Sequence, residues 1–367
     1  PDGTTQACAA RYLAGCDGAR STVREQLGIG FEGGTYRQVF YVADVELAGL
    51  QPAGEVHVAL GDGDFVAVLP YGANGQYRLV GTVRDERADH AESLAFADVD
   101  QDAIRGLGLE VRAVHWFSTY RVHHRVADTF RQGRAFLLGD AGHIHSPAGG
   151  QGMNTGILDA NNLAWKLADV LHGRAPDALL DSYSGERLAF ARTLVQTTDR
   201  VFSLVTAEGT LANAVRMYLA PTLASVAGRL GAVRETMFRT VSQTLLDYRG
   251  SALSAGRAGA VQGGDRLPWV RADGTDNYDS LVAIGWQVHV YGAATPALHA
   301  WCTGQGIALH VFAWQAEHST AGYARDAAYL LRPDTYVALA SVDASPSALA
   351  TYFAARGYRL QPLPVHA

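Results

Sequence analysis

The sequence predicts a mixed α/β (α+β) protein of two or three domains, because 367 residues exceed the length of one typical domain. Three observations indicate this fold class. An apolar run at residues 135–138 enters a glycine-dense loop, and a helical pattern leaves that loop over residues 154–171. Alternating β-rich runs fill residues 36–126. Strands then alternate with helical stretches over residues 277–367.

Composition and charge exclude several classes of protein. Hydrophobic residues make up 48% of the chain, which is enough for a real core. The net charge of −6, without a run of Lys or Arg, argues against nucleic acid or an anionic membrane as a partner. No apolar stretch has the length needed to cross a bilayer. The 3 cysteines form no CxxC pair, so we expect no metal site, no disulfide framework and a cytoplasmic location.

Local patterns predict several individual elements. Residues 64–69 and 76–83 flank turn-forming residues and are expected to pair as a hairpin. A short helix is predicted over residues 21–27, with Ser21 as its N-cap. In the helix over residues 154–171, apolar positions recur at spacings of three and four and predict one buried face. These positions are Ile157, Ala160, Ala164, Leu167, Ala168 and Leu171.

The glycine-dense loop has the composition of a ligand-binding turn. Glycines let the backbone approach a flat ligand closely. The start of the following helix offers free N–H groups and a positive dipole end to an anionic partner. Asp140, at the end of the strand, can accept hydrogen bonds from a polyol. The alternative interpretation is a strand–turn–helix connection without a ligand.

Two segments resemble the motifs of a known enzyme family. Residues 134–167 resemble the second flavin-binding motif of the class A FAD-dependent aromatic hydroxylases, the relatives of phenol hydroxylase and p-hydroxybenzoate hydroxylase. Residues 12–24 contain Cys16, Asp17 and Gly18 and resemble the family's DG motif. The two motifs occur in the family's order, and the stretch between them has a plausible length.

The resemblance implies a domain organisation. Residues 1–30 and 127–265 would form a Rossmann-like FAD-binding domain that includes a helical region, so the strands before Asp17 and Asp140 would belong to one domain. Residues 31–126 would form an inserted antiparallel sheet that binds substrate. Residues 270–367 resemble the thioredoxin-like C-terminal domain of phenol hydroxylase relatives. The lone Cys302 excludes dithiol chemistry there, so the domain is expected to be structural or to form a homodimer contact.

The resemblance also implies which residues bind the cofactor. Asp140 would bind the ribityl hydroxyls of FAD, and Pro147 would lie beside the flavin ring. Asp17 and Arg20 would approach the FAD pyrophosphate and the NADPH path, although pairing with each other or with the backbone is the alternative. Backbone groups near the helix start would stabilise the negative edge of reduced flavin. The remaining implied cofactor-binding residues are Gly139, Gly150, Gln151, Gly152, Met153 and Asn154.

Histidines near these motifs are interpreted as structural. His143 matches a position that is commonly histidine in the family and is expected to order the loop. His145 follows it, but two histidines without a third ligand are weak evidence for a metal. His123 and His124 are expected to pack or to lie at the surface.

The resemblance implies that the enzyme hydroxylates a phenolic or polyketide-type aromatic substrate with FAD, O2 and NADPH or NADH, through a flavin C4a-hydroperoxide. The sequence indicates no particular residue as the catalytic base. Baeyer–Villiger or epoxidation chemistry on the same fold stays open. A non-catalytic C-terminal fragment also stays open.

One departure from the family concerns the ADP half of FAD. The literal GxGxxG match at residues 28–33 follows a predicted helix, whereas the dinucleotide fingerprint follows a strand and opens a helix. The chain therefore resembles the C-terminal part of a longer enzyme. We expect residues 1–367 alone to hold FAD poorly and not to oxidise NADPH with phenols. An N-terminal segment with a strand-linked GxGxxG should restore both.

Overall fold

The computed structural model describes residues 4–49, 56–60, 65–71, 75–83, 94–99, 101–146, 151–206, 239 and 242–360. Within these ranges the α-helices are α1 (Thr22–Gln26), α2 (Asp102–Gly106), α3 (Gly152–Leu171), α4 (Asp181–Thr206), α5 (Pro296–Gln305), α6 (Ala316–Thr320) and α7 (Pro346–Ala355). Short 3-10 helices lie at Phe96–Asp98, Gly139–Ala141, Asp177–Leu180 and Asp279–Val282. Part of the predicted helical region, residues 207–238, lies outside the described residues.

A small sheet brings the two motifs together. Its strands are β1 (Leu13–Gly15), β7 (Arg131–Gln132) and β8 (Ala135–Leu137), in the order β1-β8-β7. β1 and β8 are parallel, with Gly15 opposite Leu137. The strands that precede the two motifs, which the sequence predicted to share one domain, are therefore neighbours, and both motif turns leave the same edge of the sheet.

The inserted β-rich region forms a separate antiparallel sheet. Its strands are β2 (Phe31–Gly49), β3 (His57–Leu60), β4 (Phe65–Pro70), β5 (Gln76–Val83), β6 (Leu109–Ala127) and β9 (His143–Ile144). The order is β3-β4-β5-β2-β6-β9. The predicted hairpin is confirmed, because β4 and β5 pair with Val66 opposite Gly81. β9 belongs to the second motif and pairs with the end of β6, so the insert is tied directly to the motif turn.

The C-terminal region is built on a mixed sheet. Its strands are β10 (Ala255–Ala258), β11 (Val261–Gln262), β14 (Gln287–Tyr291), β15 (Ala308–Phe312), β16 (Ala328–Leu331) and β17 (Val337–Ser341), and a separate hairpin pairs β12 (Arg271–Ala272) with β13 (Thr275–Asp276). The order is β11-β10-β17-β16-β14-β15. β14 and β15 are parallel and flank α5 in sequence, while β16 is antiparallel to both β14 and β17. The thioredoxin-like character of this region stays a prediction.

The helix α3 buries the opposite face from the predicted one. Ile157 is 57% exposed, and Ala160, Ala164 and Leu171 are also exposed. The buried side chains of α3 are Thr155, Asp159, Asn162, Leu163, Trp165, Lys166 and Asp169. The prediction was wrong because polar partners from the motif turn, from α4 and from the C-terminal domain pack against this helix. Thr155, Asp159, Asn162, Lys166 and Asp169 recur at helical spacing, which was the available signal.

A buried ionic cluster joins α3 and α4 to the C-terminal domain. Glu186 accepts hydrogen bonds from Arg332 Nη1 at 2.7 Å and Nη2 at 3.0 Å, and from Lys166 Nζ at 2.8 Å. Arg332 also donates to Asp334, which accepts from the Trp165 indole at 2.9 Å. Burial lowers the pKa of Lys166 to about 8, although Glu186 acts in the opposite direction. The cluster fixes the C-terminal sheet on α3, which carries part of the second motif, and on α4.

Histidine burial makes the C-terminal domain sensitive to acid. Burial, and the neighbouring His310, lower the pKa of His289 to about 3. Its ordinary pKa is about 6.5, so the unfolded chain takes up a proton that the folded chain refuses. The stability associated with a neutral His289 is therefore present in full above about pH 6.5 and is lost as the pH falls toward about 3. Urea unfolding across this range should show that the free energy of unfolding decreases as the pH falls. In the His289→Gln protein this decrease should be smaller. An equal slope in both proteins would contradict the assignment.

Candidate functional site

The two motif turns form one edge of the small sheet. β1 leads into residues 16–20, and β8 leads into the 3-10 turn Gly139–Ala141. Since parallel strands present their carboxyl ends at the same edge, both turns face the same region. Arg24 connects them, because its Nη1 donates to Ala141 O at 2.9 Å and its Nη2 donates to Ala19 O at 2.8 Å.

Sequence reasoning gave no role to Arg24. Its side chain is buried, and its guanidinium lies over the Phe31 ring at 3.8 Å from the centroid. Burial lowers its pKa, while Glu25 and Asp17 act to raise it. The signal available in the sequence was an Arg within a one-turn helix beside the DG motif, but its acceptor on Ala141 is 117 residues away.

The Asp17 carboxylate lies against the start of α1. Its Oδ2 accepts from the Val23 backbone N–H at 3.0 Å. Hydrogen bonding from Ser21 lowers the pKa of Asp17 below its ordinary value, against a smaller effect of burial. Ser21 also caps α1 by accepting from the Arg24 N–H at 3.0 Å, which confirms the predicted N-cap. Asp17 remains exposed, so one edge of its carboxylate faces solvent at the motif edge.

Arg20 faces a cavity between the DG turn and the antiparallel sheet. The cavity has a volume of about 660 Å³. Its other lining residues are Leu94, Phe117, Ser118, Thr119, Tyr120, Arg121 and His123. His123, expected to be structural, bonds to Thr35 Oγ1 through Nδ1 at 2.7 Å. The structure therefore brings Arg20 to β6, whereas Asp17 points to its own helix, and the two do not pair.

Gly139 and Asp140 occupy the turn after β8. Gly139 has φ +55°, a left-handed conformation that favours glycine. A Cβ placed on Gly156 of α3 would lie 3.4 Å from Gly139 Cα, so the turn packs directly on the helix. Asp140 is exposed at this point and accepts no hydrogen bond from any residue in the described ranges. Its carboxylate is available to a ligand at the motif edge.

The start of α3 lies beside the same turn. Gly152 begins the helix, two residues before the predicted residue 154, and Gln151 is its N-cap. The Gln151 side chain does not cap the helix, and the first turn holds no acidic side chain. Met153 is 77% exposed, and Asn154 is exposed beside it. First-turn N–H groups with no capping side chain are an anion-binding feature. Pro147 and Gly150, predicted to contact the flavin, lie outside the described residues.

The Gln151 backbone is held from within the protein. Buried Gln243 has φ +56° and donates from Nε2 to Thr155 Oγ1 at 2.7 Å and to Gln151 O at 3.3 Å. Sequence reasoning missed Gln243. Its nearest signal was its place in a helical pattern, which gives no indication of this contact.

His143 orders the turn, as the sequence predicted. It is buried, bonds to Asp159 Oδ2 through Nε2 at 2.8 Å, and stacks on Phe130 at 5.7 Å between ring centroids. His145 bonds to Ser146 O through Nδ1 at 2.8 Å. In the described part of the chain, no group of three or more His, Cys, Asp or Glu side chains is arranged to hold a metal ion. No helix in the same part is long and apolar enough to span a membrane.

Comparison with known sequences identifies the family. Residues 1–198 match the family profile described as FAD binding domain. The 6-methylpretetramide 4-monooxygenase of Streptomyces rimosus is 37% identical over 254 residues, which cover 69% of this chain and 44% of that protein. The pentachlorophenol 4-monooxygenase of Sphingobium chlorophenolicum is 37% identical over 218 residues, which cover 57% of this chain and 39% of that protein. The chain spans less than half the length of these relatives.

Solved structures agree with this result. The anhydrotetracycline hydroxylase of Streptomyces rimosus has a TM-score of 0.68 at 28% identity, with 93% of this chain and 69% of that chain covered. An aromatic hydroxylase from angucycline biosynthesis has a TM-score of 0.67 at 28% identity, with 94% and 69% covered. The family match takes in both motif turns and more than half of the sequence. The chain therefore belongs to the FAD-binding domain family of the class A aromatic monooxygenases.

Proposed function

We propose that this chain forms the flavin-ring side of a monooxygenase that hydroxylates a phenolic or polyketide-type aromatic substrate with O2 and NADPH or NADH. One observation carries the proposal. The parallel pair β1–β8 sets the two motif turns at one edge, and Arg24 bridges them through Ala19 O and Ala141 O. The aromatic monooxygenases among the relatives support the reaction class.

The residues of the motif edge fit the ribityl and ring portion of FAD. Asp140 offers an exposed carboxylate without a protein partner among the described residues, which suits a hydroxyl-bearing chain. The close packing of Gly139 on Gly156 leaves a thin backbone wall against which a flat group can lie. The GxGxxG match does not serve the pyrophosphate, because Gly28 follows α1 and Gly33 lies inside β2.

Each part of the edge has a proposed role. When bound, FAD carries electrons from the nicotinamide to O2 and enables oxygen transfer to the ring. Asp140 holds the ribityl hydroxyls, and Gly139 fixes the direction of the chain. The N–H groups at Gly152, Met153 and Asn154 stabilise negative charge by about 0.3–2 kcal/mol, the usual scale of a helix N-terminus. Gln151, Pro147 and Gly150 complete the proposed cofactor contacts.

The substrate side is proposed to be the sheet that faces Arg20. Tyr120 and Trp116 are 37% and 50% exposed, and Tyr120 packs on Phe40 at 5.7 Å between centroids. Aromatic side chains of this kind bind flat aromatic ligands and exclude water. Arg20 would meet the phosphates of FAD or of the nicotinamide cofactor at this cavity, and Asp17, held by the Val23 N–H, would approach them from the DG turn.

The proposed domain organisation keeps the predicted boundaries. Residues 1–30 and 127–265 hold the cofactor, residues 31–126 cover the substrate, and residues 270–367 form a thioredoxin-like domain. Burial raises the pKa of the Cys302 thiol to about 11, and Cys8 and Cys16 are free. These features fit a structural domain or a homodimer contact in a cytoplasmic enzyme.

Product analysis tests the proposed reaction. Residues 1–367 are assayed with and without an added segment that carries a strand-linked GxGxxG, using NADPH, isotopically labelled O2 and a panel of phenols and polycyclic phenols. The expected result is NADPH oxidation with one labelled oxygen in a hydroxylated ring, in the protein that binds FAD. A lactone or epoxide product would instead favour one of the two alternative oxidations. FAD binding without NADPH oxidation or product would overturn the proposal.

Asp140→Ala should weaken FAD binding. A charged acceptor that holds polyol hydroxyls contributes about 1.5–3 kcal/mol, which corresponds to about 10- to 150-fold in Kd. Flavin fluorescence titration measures the change. The control is Asp102→Ala, since that carboxylate is 77% exposed on α2 in the sheet insert. Equal FAD affinity in wild-type and Asp140→Ala protein would contradict the assignment.

A further inference from the structure

Asp159 is a buried carboxylate that contacts the flavin-side turn without facing the proposed ligand. Its Oδ2 accepts from the Gly139 backbone N–H at 2.9 Å and bonds to His143 Nε2 at 2.8 Å. Its Oδ1 accepts from Arg187 Nε at 2.6 Å. Asp159 and Arg187 are 0% exposed, and His143 is 2% exposed. One carboxylate on α3 thus joins the turn, β9 and α4.

The ionisation of Asp159 fixes the hydrogen positions around it. Burial by itself raises the pKa of Asp159, but the hydrogen bond from His143 and the charge of Arg187 outweigh it and hold the pKa below its ordinary value. An ionised carboxylate only accepts hydrogen bonds. His143 must therefore donate from Nε2, and its buried Nδ1 has no partner among the described residues.

The Arg187 side chain is itself anchored. Its Nη1 donates to Tyr248 Oη at 3.0 Å, and its Nη2 donates to Thr155 O at 3.2 Å. Thr155 is the residue that Gln243 holds near the start of α3. Asp159 is therefore fixed on one side while it holds the turn on the other.

We propose that Asp159 is the positioning residue of the flavin site, where it sets the backbone of Gly139 and the tautomer of His143 on which the cofactor-facing turn depends. The inference rests on the proposed function, because it assigns Asp159 to the same cofactor edge. Asp159 acts through Gly139 and His143 and does not contact the cofactor itself.

Asp159→Asn tests this role with little change in shape. If the amide oxygen stays on Arg187, the amide nitrogen faces the Gly139 N–H, and two donors oppose each other. The same nitrogen would donate to His143 Nε2 and drive the proton to Nδ1. We expect loss of amide-exchange protection at Gly139, a change of the His143 tautomer in nitrogen NMR, and an increase of about tenfold or more in the Kd for FAD, the scale of one lost charge-assisted hydrogen bond.

Asp169→Asn is the matched control. Asp169 is also buried on α3 and accepts from Arg174 Nε at 2.8 Å and Trp286 Nε1 at 3.2 Å, away from the turn. It should lower stability without changing the His143 tautomer or FAD affinity. Equal losses of FAD affinity in both variants, or an unchanged His143 in Asp159→Asn, would overturn the inference.

The wild-type protein supplies a test that needs no variant. Nitrogen NMR should find His143 protonated at Nε2, and protonation at Nδ1 alone would overturn the inference. Absence of FAD binding by the wild-type chain supplied with the strand-linked GxGxxG segment would count against the proposed function, and the His143 tautomer would still decide the role of Asp159.

Discussion

Glu186→Gln is expected to lower the free energy of unfolding by about 3–5 kcal/mol, the effect of removing one partner from a buried ion pair. Glu186 is buried and accepts from Arg332, Lys166, Asn162 and Ser251. Glutamine keeps the size of the side chain but removes the negative charge. Arg332 would keep only Asp334, and Lys166 would lose its ion-pair partner, so one positive charge would stay buried without compensation.

Urea unfolding measures this loss. The control is Asp181→Asn, because Asp181 is 75% exposed and bonds to Arg131 Nη1 at 2.8 Å on the surface. Exposed pairs contribute about 1 kcal/mol or less. A Glu186→Gln protein as stable as the Asp181→Asn protein would show that the cluster does not hold the C-terminal domain on α3 and α4.

Arg24→Met is expected to lower stability by about 3 kcal/mol, the scale of two charge-assisted hydrogen bonds with partial compensation. The variant leaves the carbonyls of Ala19 and Ala141 without their donor and removes the charge above the Phe31 ring. Because these bonds join the two motif turns, the Kd for FAD should also rise, by about tenfold or more.

Arg20→Met separates the two arginines of the DG motif. Arg20 is exposed, so its replacement should leave the unfolding free energy unchanged. If Arg20 meets a phosphate, the Arg20→Met protein should bind the cofactor more weakly than the wild type. Its Kd should also depend less on salt concentration, because the charge that salt screens is gone. Unfolding curves and FAD titrations at two ionic strengths measure both effects. Wild-type stability in Arg24→Met would contradict the bridging role of that residue.

Short-range patterns account for the parts that the sequence predicted well. The β4–β5 hairpin follows from two β-rich runs on either side of a turn. The helix α1 and its Ser21 cap depend on residues within one turn of each other. The parallel pairing of β1 with β8 is long-range, and the two motifs predicted only that these strands belong to one domain, not that they pair.

The buried face of α3 shows why periodicity failed at the site. The apolar positions were assigned to the core because hydrophobic burial is the usual reason for such spacing. Here polar side chains on the other face meet ionic partners, so Asp159 and Lys166 are buried and Ile157 is exposed. When a helix carries an apolar stripe on one face and a polar stripe on the other, its sequence does not reveal which face the rest of the fold buries.

The sequence by itself determined the two cofactor motifs, the inserted sheet and the family, because strands, turns and caps depend on neighbouring residues. The tertiary structure alone decided which charges are compensated. Arg24 meets its acceptor 117 residues away, and Glu186 meets Arg332 146 residues away. A buried charge is stable only beside an opposite charge or a set of hydrogen bonds, and which distant residue supplies them is fixed by the packing of whole elements.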